Sequence, residues 1–157
     1  MKMLLLVRHA KTAPAGRHQT DHQRCLEDEG VTAAGKLAHY LKKKKYRVDV
    51  MMVSSANRTQ TTAQILLTAM GEHPPQVVVS DDLYLASAQT LWSAITGADS
   101  SINTLLVVGH NPGLEVLAQQ FLPSLDKFHT SEMLRVRFDV DSWQDASTAV
   151  AQDVKRI

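Results

Sequence analysis

The chain has 157 residues, 44% apolar and 21% charged, with 17 basic against 16 acidic side chains and a formal net charge of +1. This length and composition suit one domain with a full core, read as residues 1–157, and the even charge excludes bulk electrostatic binding to nucleic acid or to a membrane surface. The lone cysteine, Cys25, excludes an intrachain disulfide framework and a cysteine-built zinc site, and it fits a reducing, cytoplasmic setting.

The first element is Met3-Leu4-Leu5-Leu6-Val7, which stops at Arg8-His9. Five apolar residues with no turn residue suit a strand buried on both faces. The run is too short for a signal-peptide core, and no other run approaches a membrane span. Residues 10–26 are polar, aperiodic and broken by Pro14 and Gly16, which predicts a long loop, a length often tied to function. It carries Arg17, His18, Asp21, His22 and Arg24, of which Arg24 is the candidate second cation for a site beside Arg8.

A helix is predicted over 32–45, with Thr32 as N-cap, Leu37, Tyr40 and Leu41 on one face, and Lys42-Lys43-Lys44-Lys45 in its last turn. A strand over 48–53 leads into Ser54-Ser55-Ala56-Asn57-Arg58 and a helix over 59–70, capped by Asn57 or Ser55. A helix start with an arginine beside it suits phosphate, because free N–H groups and the positive dipole end converge there. Val77–Val79 reads as a short strand and 87–97 as a helix ended by Gly97. Thr104–Val108 is the clearest buried strand after the first, running straight into Gly109-His110-Asn111-Pro112-Gly113 and a helix over 114–122 with Pro112 at its first position. Residues 133–140 alternate apolar and polar, as a half-exposed strand near an edge does. Trp143 anchors the return, and in the tail 147–157 Val150, Gln152 and Val154 suggest a last strand, with a helix as the alternative.

Alternating strands and helices imply a three-layer α/β/α fold with a largely parallel central sheet. The carboxyl ends of parallel strands share one edge, the usual ligand-binding edge of such sheets. Arg8, His9, Arg58 and His110 then meet there, with Arg24 reaching in from the loop.

The pieces Leu6-Val7-Arg8-His9-Ala10, Arg24-Cys25-Leu26 with Gly30 and Thr32, Ser54-Ser55-Ala56-Asn57-Arg58-Thr59-Gln60-Thr61 and Val108-Gly109-His110-Asn111-Pro112-Gly113 together resemble the histidine phosphatase superfamily, with its phosphoglycerate-mutase-like fold. The shortness of the chain, with no insertion between Arg58 and Val77, resembles the SixA-type phosphohistidine phosphatase branch. The resemblance implies His9 as phosphoryl acceptor, His110 as the second catalytic histidine, Arg8, Arg24 and Arg58 as phosphate ligands, and no metal or other cofactor. It implies as partner a phosphorylated protein, such as a histidine-containing phosphotransfer domain, or a small phosphate ester.

The residue types agree with that chemistry. Forked guanidinium donors match the equatorial oxygens of a phosphoryl group. Their charge also favours a neutral histidine, which is the nucleophilic form. Two departures from the family pattern stand out. Ala10 replaces the usual glycine after Arg-His, which predicts a methyl close to the phosphate. No glutamate occupies an insertion that would supply a general acid; Asp21 and Asp82 are the remaining candidates, each read first as a surface carboxylate or an arginine orienter. A site without a strong acid suits a phosphoramidate better than an alkyl phosphate. The alternatives are a small-molecule phosphomonoesterase and, in another class, a non-catalytic phosphate-binding or scaffold protein. The seven histidines are scattered, with no metal-ligand spacing.

Overall fold

A computed structural model describes residues 1–157 as one six-stranded sheet between two helical layers. The strands are β1 (Lys2–Arg8), β2 (Val50–Ser54), β3 (Gln76–Ser80), β4 (Thr104–Gly109), β5 (Met133–Phe138) and β6 (Ala151–Arg156), in the spatial order β3-β2-β4-β1-β5-β6. β1 to β4 are mutually parallel, β5 is antiparallel to β1, and β6 is antiparallel to β5.

The unbroken apolar runs follow from coverage of both sheet faces. Leu4 and Leu6 of β1, with Leu105 and Val107 of β4, pack under α3 (Ala88–Thr96) and α4 (Gly113–Phe121). Leu5 and Val7, with Leu106 and Val108, pack under α1 (Asp28–Lys43) and α2 (Asn57–Leu67). Successive residues of one strand therefore feed opposite layers, so polarity does not alternate along it.

Several boundaries differ from the sequence expectation. α1 starts at Asp28 rather than Thr32, with Glu27 at the N-cap and Asp28 and Glu29 in the first turn, where acids suit the dipole. Gly30 sits inside the helix because it packs on the loop: a Cβ there would lie 2.2 Å from the Lys11 carbonyl oxygen. α2 starts at Asn57, capped by neither Asn57 nor Ser55; Ala56 is its N-cap, and Arg58 is already helical. Gly113 opens α4, with Pro112 at the N-cap after a cis Asn111–Pro112 bond. β5 lies one strand in from the edge, because the tail forms β6 and pairs with it. Trp143 is fully buried and donates from its indole N–H to the Ile102 carbonyl at 2.8 Å, holding that return. No helix is long and apolar enough to cross a membrane.

Candidate active site

β1 and β4 are neighbours in parallel register, with Arg8 opposite Gly109. This register sets His9 and His110 side by side, their ring centroids 5.3 Å apart. α2 begins directly after β2 at the same sheet edge and contributes Arg58. The loop over 10–27 is tied down by a Thr12–Leu26 bridge and a short 3-10 turn, Asp21–Gln23, which bring in Arg24. A cavity of about 370 Å³ results, lined by Arg8, His9, Arg24, Arg58 and His110 along with Asp21, Thr12 and Asn111. All five residues expected at the site are therefore brought together.

His9 is 7% exposed, Arg58 3% and His110 2%. His9 Nδ1 lies 2.8 Å from the Ala10 carbonyl oxygen, which can only accept, so Nδ1 carries the proton and Nε2 presents its lone pair. Burial, with Arg58, Arg8 and Arg24 adding to it, pushes His9 down to about 4, against the opposing pull of that carbonyl. His110 is pushed down to about 3, first by burial and then by Arg58 and His9. Its Nε2 lies 2.6 Å from the Ser54 hydroxyl. That hydroxyl has no other acceptor for its proton, so it donates to Nε2 and leaves the ring proton on Nδ1, which has no partner in the protein.

The arginines are held from several directions. Arg8 Nη1 donates to the Phe128 carbonyl at 3.0 Å. Arg58 donates to the Asp21 carbonyl from Nη1 (2.8 Å) and to Asp21 Oδ2 from Nη2 (3.1 Å). Arg24 donates to Asp21 Oδ1 (3.1 Å), the Ala13 carbonyl (3.0 Å) and Thr12 Oγ1 (2.6 Å). The Nε–H groups of Arg8 and Arg58 are buried without a protein partner.

Asp21 is thus an arginine clamp. A hydrogen bond from Tyr84, followed by those from Arg24 and Arg58, holds its carboxyl well below the usual range. It stays ionised at neutral pH and has no proton to give. Asp82 lies outside the cavity, with its amide bonded to Ser80 Oγ at 3.2 Å. Ala10 also departs from expectation: its methyl is wholly buried, and it does not line the cavity. Its amide donates to Thr62 Oγ1 of α2 at 3.0 Å, which fixes the backbone after the nucleophile candidate. No three side chains of metal-ligating type converge anywhere in the chain.

Sequence reasoning missed the supporting groups Ser54, Thr62 and Tyr84. Ser54 ends an apolar strand and Thr62 sits one helical turn after Arg58, so their positions carried a weak signal. Tyr84 carried none.

The family model of the histidine phosphatase superfamily, branch 1, matches residues 4–84. The uncharacterized protein Rv1276c of Mycobacterium tuberculosis is 34% identical over 114 residues, which span 71% of this chain and 67% of that protein. Among solved structures, the proposed phosphohistidine phosphatase SixA of Agrobacterium tumefaciens superposes with a TM-score of 0.78 at 29% identity, covering 86% of this chain and 90% of that one. The protein so described from Nakamurella multipartitia gives 0.77 at 29% identity over 98% and 95%.

Proposed function

Since the chain belongs to the histidine phosphatase superfamily and is a phosphatase of SixA type, we propose that its substrate is phosphohistidine carried on a protein, with His9 as the transient phosphoryl acceptor. The observation that carries this reading is the state of Asp21. It is the one carboxylate lining the cavity, and Tyr84, Arg24 and Arg58 keep it an anion. An alkoxide leaving group needs a proton as it departs. An imidazole does not, because a phosphohistidine ring protonated on its far nitrogen leaves as neutral imidazole.

His9 Nε2 attacks phosphorus in line, the P–N bond breaks, and its electron pair goes to the departing ring. Arg8, Arg24 and Arg58 take the charge on the equatorial oxygens, and His110 donates from Nδ1. The His9 Nδ1–H bond to Ala10 holds the ring orientation while Nε2 bears the phosphoryl group. Water then attacks phosphorus and returns His9, a two-step ping-pong course. Similarity to the two SixA proteins supports the substrate class, and the open cavity supports access by a protein-borne group.

Two measurements test this. A labelled aryl phosphate should leave an acid-labile, alkali-stable label that is absent in His9→Ala; equal labelling of that variant would remove the nucleophile assignment. The value of kcat/KM should be higher on a phosphohistidine protein than on sugar phosphates. The reverse order would assign the enzyme to small phosphate esters.

A further inference from the structure

Tyr84 takes no part in the course above and does not line the cavity, yet it meets three of the residues that do, Asp21, Arg58 and His110. Its hydroxyl donates to Asp21 Oδ2. The Arg58 guanidinium lies 5.9 Å from its ring centroid. The ring meets His110 edge to face at 5.6 Å and His22 at 4.8 Å. Behind it the backbone is fixed: Leu85 sits at φ +49°, and a Cβ on Gly113 would lie 1.9 Å from the Ala86 carbonyl oxygen. The segment carrying Tyr84 is therefore pressed against the turn that follows His110.

Arg24 and Arg58 come from different elements and repel each other. Each is a long side chain that loses up to about 2 kcal/mol of rotamer entropy when fixed. Asp21 is what joins them, one carboxylate oxygen to each guanidinium. Asp21 itself opens the short 3-10 turn of the loop and is 45% exposed, with Arg24 on one carboxylate oxygen and Arg58 on the other. The phenol supplies a third direction. Asp21 takes only two of the five Arg58 N–H groups, so it aligns the fork without saturating it.

We propose that Tyr84 is a positioning residue: its hydroxyl sets the Asp21 carboxylate, which in turn sets Arg24 and Arg58 for the phosphoryl group before substrate arrives. The proposal rests on the phosphatase reading of the cavity and adds to it a residue that acts only through another. Such preorganisation lowers the cost of binding and of reaching the transition state together.

The test is a double-mutant cycle of Tyr84→Phe and Asp21→Asn, read by calorimetric binding of inorganic phosphate and by kcat/KM on an aryl phosphate, with thermal melting as control. Tyr84→Phe keeps the ring and its packing. It should melt close to wild type while phosphate affinity and kcat/KM each fall about tenfold. Asp21→Asn should lose at least as much, and the double variant no more than Asp21→Asn alone. Wild-type phosphate affinity in Tyr84→Phe, or losses that multiply in the double variant, would overturn the proposal. Absence of phosphate binding in the wild-type protein would overturn the site reading beneath it.

Discussion

A histidine that attacks phosphorus has to stand neutral among cations, and at His9 burial and three arginines act in the same direction. With its pKa at about 4, the nucleophilic form dominates from pH 5 upward, so the acidic limb of kcat/KM should fall near pH 4 rather than near 6.5. The same shift bears on stability. Between about pH 4 and 6.5 the unfolded chain binds a proton at this position and the folded chain does not, so stability is full above 6.5 and falls with pH through that window. His110 adds to the effect with the same sign. Denaturant unfolding at pH 7 and pH 5 should show lower stability at pH 5, and His9→Gln should reduce the difference. Arg58→Ala should cost about 10²-fold or more in kcat/KM. It should cost far less in global stability, since taking a guanidinium out of water offsets much of what its bonds return. These residues were legible because each ends a buried strand or opens a helix. Tyr84 was not, since its bond to Asp21 joins positions 63 apart with no shared periodicity.

Helix and strand identity was readable from apolar runs and turn residues, and helix starts were the weak point. The N-cap expected at Thr32 fails because the helix starts four residues earlier, at Asp28, and runs through Gly30. In the fold it is an ordinary helical residue, kept small by the Lys11 carbonyl. Gly30→Ala separates the two readings. Helix propensity alone predicts a gain of about 1 kcal/mol. Collision of the new Cβ with backbone at 2.2 Å predicts a net loss of about 1–3 kcal/mol by urea unfolding. Because Lys11 lies two residues past His9, activity should fall with it. The tail was undecidable from its own residues. Its strand character comes from pairing with β5, and Asp153, Lys155 and Arg156 give that edge charges that discourage further strand addition. β3, the opposite edge, exposes Val77, Val78 and Val79 with no charge among them.

Across the molecule, buried polar atoms without a protein partner gather in one place. Arg8 Nε, Arg58 Nε, His110 Nδ1, Asn111 Oδ1 and Ser131 Oγ all belong to residues at or beside the cavity; only Arg135 Nε lies elsewhere. Inorganic phosphate should therefore stabilise the whole fold. At one hundred times its dissociation constant the gain is about 2.7 kcal/mol, visible as a rise in melting temperature that Arg58→Ala abolishes. β1 has a consequence in time as well as in space. It lies between β4 and β5, so Met3 pairs with Thr104 on one side and Arg137 on the other. The nucleophile candidate is thus made before either of the strands that wall it in. Pairings so far apart in the chain form slowly. A nascent chain halted before residue 104 holds His9, Arg24 and Arg58 but lacks both strands that flank β1. Phosphatase activity therefore switches on with completion of the fold, so recovery of turnover after dilution from denaturant reports the closing of the sheet.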